Sequence, residues 1–256
     1  MSSINHTRRS LSKTAPFFFS LALVALLQSC NNDVELRDHT WCTTRVLDYG
    51  NQPMTLSVDL LCNTGNTGVL FIGETYASEP VPYGVYMPFN YTWDGSSGSA
   101  CIIGTDVVLP LKSDHAKSNT LNVDFSALGE YIPVLRNASY ALDAAGYYVA
   151  DNLDGSRWQY SFDLPLALDT GDAVENYLFE LSLSADSGLL QLVYSRPGAD
   201  DSHNTWHVGY TYVDGVADLT VTTGSYSFKA CCYMPDAGHL FFFDGESMVP
   251  FSRVEP

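Results

Sequence analysis

The chain contains two copies of one pattern, and that repeat limits its fold more than any other feature. Residues 37–136 align with residues 154–253. "HTWCTTRV" around Trp41 meets "SRWQYSFD" around Trp158, and "GVLFI" from Gly68 meets "GLLQLVY" from Gly188. "YTWDG" (91–95) meets "YTYVDG" (210–215), and "GTDVVL" from Gly104 meets "GSYSFK" from Gly224. "TLNVDF" meets "HLFFFDG", and "IPVLR" meets "VPFSR", matching Pro133 and Arg136 with Pro250 and Arg253. The matches keep their order, with offsets of 117 to 120 residues. Ordered self-similarity at one period marks tandem copies of a single fold.

Each copy is strand material. Runs such as Thr-Val, Tyr-Thr-Tyr and Leu-Phe-Phe-Phe favour pleated backbone, and no window of helical length keeps an apolar period of 3.6. Turn signals recur at short intervals, and Asp214-Gly215 supplies the positive φ values of a tight hairpin. The expectation is an all-β chain of two small antiparallel up-and-down barrels, since closure removes the exposed sheet edges. A β-sandwich is the alternative. The domains expected are 37–136 and 154–256. Residues 137–153, "NASYALDAAGYYVADNL", are read as a linker, forming a short helix or an extra strand that docks one domain on the other.

Three features recur in both copies: an opening Trp near a polar turn, a central "Y-x-[YW]…DG" hairpin and a closing apolar strand that ends on Arg136 or Arg253. This pattern resembles the lipocalin-like (calycin-type) domains of Bacteroidota envelope lipoproteins. The resemblance implies that Trp41 pairs with Arg136 and Trp158 with Arg253 to close each barrel bottom. A guanidinium stacked on an indole is a favourable contact of that kind. The resemblance also implies non-catalytic binding of a small apolar ligand or of a partner.

The first 29 residues read as a signal peptide: Arg8, Arg9 and Lys13 precede the 11-residue apolar core Phe17–Leu27. Leu27-Gln28-Ser29-Cys30 resembles a bacterial lipobox. That implies cleavage before Cys30, its acylation, and a tether over 30–36 that anchors the protein to the outer membrane of the cell envelope, on its surface or periplasmic face. The membrane is thus one expected partner. Cleavage would leave 9 Lys+Arg against 29 Asp+Glu, a net charge of −20. Phosphate backbones require the opposite sign, which argues against nucleic acid. Beyond Cys30 five cysteines remain: 42, 62 and 101 could pair with one another, whereas the adjacent Cys231 and Cys232 would point to opposite faces of a strand.

Recognised catalytic patterns are missing. There is no Gly-x-Ser-x-Gly elbow and no phosphate loop ahead of a helix, so neither an enzyme nor a cofactor is expected. His203 and His207 lie in "DDSHNTWH", read as a solvated loop rather than the helix that would put both on one metal. Tyr76, Tyr83 and Tyr86 lie in "YASEPVPYGVYMP", a stiff amphipathic stretch and the place where the copies differ most. It is the candidate loop for a glycan or protein partner.

Overall fold

A computed structural model describes residues 35–255 apart from 38, 51, 115–116, 147 and 166–173. The expected signal peptide, Cys30 and the expected tether up to residue 34 lie outside the described residues. The rest is all-β, as expected. The first barrel comprises β1 (His39–Tyr49), β2 (Gln52–Cys62), β3 (Thr67–Tyr76), β4 (Tyr83–Trp93), β5 (Ser97–Ile102), β6 (Val108–Asp114), β7 (Lys117–Asp124) and β8 (Ser139–Gly146). The second comprises β9 (Arg157–Pro165), β10 (Val174–Ser184), β11 (Ser187–Ser195), β12 (Ser202–Val213), β13 (Val216–Thr223), β14 (Tyr226–Asp236), β15 (His239–Phe243) and β16 (Met248–Arg253). In each, neighbours in sequence pair antiparallel and the last strand closes on the first.

The hairpins follow from the turn residues. Asp214 (φ 49°) and Gly215 (φ 82°) turn β12 into β13. In the first copy the equivalent turn has three residues, 94–96, with Gly95 at φ 95°, and Asp94 accepts the backbone N–H groups of Ser96 and Ser97.

Ser139–Gly146 is the eighth strand of the first barrel rather than part of a linker. The alignment of "IPVLR" with "VPFSR" does not hold in space. Pro133–Leu135 is a 3-10 turn, while Val249–Arg253 lies within β16. The chain between β7 and β8 is long and places Phe125, Leu128 and Leu135 in the core, so the closing strand arrives later than the sequence match implies.

The barrels pack side by side. Leu61, Val69 and Phe71 of the first meet Val216, Cys231, Tyr233, Phe243 and Met248 of the second in one buried cluster. Phe71 stacks on Tyr233 at 4.3 Å and lies 4.9 Å from Phe243. Gly73 and Gly84 are cross-strand partners on the wall that faces Met248. A Cβ on Gly84 would come within 2.6 Å of the Met248 Cβ, so only glycine admits this approach.

Candidate functional site

Each barrel has a closed end marked by its tryptophan. Trp41 and Trp158 are both buried, facing Leu60 and Leu181 across the first hairpin. Trp41 donates its Nε1 hydrogen to the carbonyl of Leu36. Trp158 donates to Ser156 Oγ, which donates in turn to the carbonyl of Leu153. Leu36 and Leu153 are buried five residues before their tryptophans, a shared plug visible in the sequence only once the two tryptophans are aligned.

The arginines diverge. Arg253 lies over the Trp158 ring at 5.6 Å and is that residue's strand partner. In the first barrel the strand partner of Trp41 is Ala144. Arg136 sits outside the barrel wall, where it caps a 3-10 turn and donates to the Gly129 carbonyl at 3.5 Å. The ring of Trp41 meets His39 edge-on instead, at 5.7 Å.

At the opposite ends the barrels differ more. Register from the two tryptophans equates Met54, Leu56 and Val58 of β2 with Glu175, Tyr177 and Phe179 of β10. The first trio is 0% exposed, and residues 125–138 pack into the same core. The second trio belongs to an aromatic inner wall. Tyr177 stacks on Phe162 at 5.1 Å and on Tyr194 at 6.1 Å, and Phe179 approaches Phe162 at 6.3 Å. Tyr177 and Phe179 share the inward face of Leu181 and Leu183, since alternate strand residues face one way. These rings are only part-buried. The turn equivalent to residues 125–138 is 244–247, with four residues.

Glu175 is buried at this mouth. It accepts a hydrogen bond from Arg196 Nε at 2.5 Å and one from the Tyr177 hydroxyl at 2.7 Å. The Arg196 hydrogen bond holds its carboxyl below the ordinary range. The mouth thus joins apolar ring faces to a fixed polar cluster, the composition of a small-molecule site.

The loop expected to meet a partner spends much of its surface inside the molecule. Tyr160 donates to the Pro80 carbonyl at 2.5 Å, and Val81 packs on the second core. Met248 donates its backbone N–H to Pro82, Gly84 donates to Glu246, and Tyr83 bridges Ser247. The reason lies in β9 and β16, which pair only at Gln159–Ser252 and Trp158–Arg253. Towards the mouth β9 and β16 are not paired, and residues 80–84 lie along that side, held by the Tyr160–Pro80 hydrogen bond, the Tyr83–Ser247 bridge and the backbone bonds to Met248 and Glu246. Tyr86 faces the inter-barrel cluster, while Tyr76 and Tyr83 remain at the rim of the first barrel.

His203 and His207 lie on β12, not in a loop, paired with Val193 and Leu189. Residues four apart along a strand are separated by about 13 Å, too far to share one ion. Among the described residues no group of three His, Cys, Asp or Glu could hold a metal. Cys42, Cys62, Cys101, Cys231 and Cys232 are free thiols. Cys231 faces the inter-barrel cluster and Cys232 the second core, on opposite faces of β14.

The fold defines a tandem pair of eight-stranded antiparallel barrels. Among the described residues, the inner wall away from the tryptophan is fully buried in the first and aromatic and part-buried in the second. No family model, no curated protein and no solved structure matches the chain.

Proposed function

We propose that this is a non-catalytic binding protein with lipocalin-like barrels, held at the bacterial envelope by a lipid on Cys30, whose second barrel receives a small apolar ligand. The contrast between the lumens carries this reading. At equivalent positions Met54, Leu56 and Val58 are fully buried in the first barrel, while Tyr177, Phe179 and their neighbours leave ring faces part-exposed in the second. An eight-stranded barrel has room either for its own side chains or for one small ligand, and the two copies divide along that line. The first barrel then serves as a scaffold, with residues 80–84 supporting the unpaired side of its neighbour. The Glu175–Arg196–Tyr177 cluster at the rim supplies the few polar contacts that fix the orientation of a largely apolar ligand.

Native mass spectrometry of the mature chain purified gently from cell envelope tests this. The expected result is a stoichiometric adduct of low mass, released on unfolding and reduced in Tyr177→Ala and Tyr194→Ala chains. A bare mass, together with no saturable uptake of an apolar fluorophore, would overturn it.

A further inference from the structure

A second site lies on the rim of the first barrel, and its chemistry differs from that of the aromatic mouth. A cleft of about 450 Å³ is lined by Tyr49, Tyr76, Tyr83, Glu74 and Glu79 together with backbone and Gln52. An adjoining cleft of about 370 Å³ shares Glu74 and Tyr83 and adds Tyr131 and Glu246. Both fall within the range of small-molecule sites, roughly 300–1,000 Å³. Neither lining contains Lys, Arg or His.

The tyrosines are arranged as walls. Tyr76 and Tyr83 meet at 6.0 Å with their planes 82° apart, so one ring edge abuts the other ring and the two form a corner. Tyr83 is 52% exposed, Tyr49 43% and Tyr131 61%, although large aromatic rings ordinarily bury more of their surface. The Tyr76 hydroxyl donates to Glu74 Oε2 at 3.0 Å. That hydrogen bond fixes the Glu74 carboxylate beside the rings, and its other oxygen makes no hydrogen bond to the described residues. Burial and Glu74 push the Tyr76 hydroxyl up to about 12, so it remains a neutral donor.

The corner is also rigid. Tyr76 ends β3, and Tyr83 begins β4 where its backbone bridges Ser247 of the second barrel. Electron-rich ring faces and uncompensated carboxylates together favour a cation that is weakly hydrated. A neutral sugar would stack on the rings and donate hydroxyls to the carboxylates, but it would leave their negative charge uncompensated, whereas a cation answers both features. A compact, strongly hydrated metal ion would need a closer set of oxygen ligands than these residues make.

We propose that the Tyr49–Tyr76–Tyr83 cleft, with Glu74 and Glu79, binds an alkylammonium group, as carried by a choline-type headgroup or a methylated amine. This site stands apart from the aromatic mouth of the second barrel, so either can fail without the other.

The test is a calorimetric and NMR titration of the mature chain with choline and with its uncharged carbon isostere, 3,3-dimethylbutan-1-ol. Choline is expected to bind saturably, and the isostere at least about tenfold more weakly, as the loss of a cation–π contact implies. Tyr83→Ala and Glu74→Gln are each expected to weaken choline binding by roughly tenfold, whereas Tyr83→Phe, which keeps the ring, retains it. Phosphatidylcholine vesicles and free choline separate a lipid source from a soluble one. Three outcomes overturn the proposal: equal binding of the isostere, choline affinity unchanged in both Tyr83→Ala and Glu74→Gln, or no saturable choline binding. A neutral monosaccharide that binds where choline does not would also overturn it, and would make the cleft a glycan site.

Discussion

Asp59 is the residue through which pH should act on this protein. It lies on β2, on the outer wall of the first barrel, and accepts a 2.5 Å hydrogen bond from the Tyr233 hydroxyl on β14 of the second. Burial pushes its carboxyl up to about 6, while the Tyr233 hydrogen bond pulls the other way. The ordinary value is 3.8, so the fold prefers the protonated form. That preference contributes full stability below about pH 3.8 and is lost as pH rises through about 6. A rise of this size corresponds to about 2–3 kcal/mol. Asp59→Asn keeps the shape and an acceptor for Tyr233 but cannot ionise. Urea denaturation should therefore find it about 2–3 kcal/mol more stable than the parent at pH 8, and nearly equal to it at pH 4. Tyr233→Phe removes the hydrogen bond and should cost about 1.5–3 kcal/mol at pH 8, where the acceptor is charged, and less at pH 4. The Tyr233 hydroxyl and the thiol of Cys42, the strand partner of Asp59, are both raised by burial and so titrate above that window. Parallel pH profiles for parent and Asp59→Asn would refute the reasoning.

Three further outcomes follow from the packing. Gly84→Ala should destabilise the chain by about 1–3 kcal/mol in chemical denaturation, because the new methyl overlaps Met248 and Phe243 across the barrel interface. Arg253→Ala should lower stability by about 0.5–2 kcal/mol through its lost contact with Trp158. Arg136→Ala should cost less, since the one hydrogen bond of that side chain to the described residues is the long one to Gly129. A thiol reagent should label Cys101 first, the part-buried Cys42 more slowly, and Cys62, Cys231 and Cys232 not at all in the native protein, because Cys101 is exposed and those three are buried. Burial also holds Cys62 up at about 12, which suppresses its thiolate. Mass spectrometry after brief labelling counts the adducts, and rapid labelling of any of the three buried thiols would contradict the described packing.

Local chemistry was enough to read much of this protein from its residues. Strand-forming runs between Asp-Gly and related turns specify hairpins, because the turn residues dictate backbone φ and the strands follow in register. The repeat of "YTWDG" and "YTYVDG" places equivalent hairpins in both barrels, and the paired tryptophans mark equivalent closed ends. The pairing of Trp158 with Arg253 is adjacent in register, so a match at the two ends of one copy located it. The corresponding pair in the first copy does not form. Arg136 falls in a turn that the sequence match could not distinguish from a strand, and β8 begins three residues after it. Other features depend on which surfaces meet. Gly73 and Gly84 look like ordinary strand glycines until Met248 is set against them. The proline-rich loop looks solvent-facing until residues 80–84 are set along the unpaired side of β9 and β16. Leu56 and Tyr177 are equivalent lumen residues, yet residues 125–138 pack into the first core, whereas the corresponding turn of the second barrel, 244–247, has four residues. Sequence determined the strands, the turns and the doubling, because those depend on neighbours along the chain. Only the tertiary structure decided which inner wall is fully buried, which loop is a strut and which tyrosines face a cleft, because those depend on contacts between residues as far apart as Asp59 and Tyr233, 174 positions along the chain.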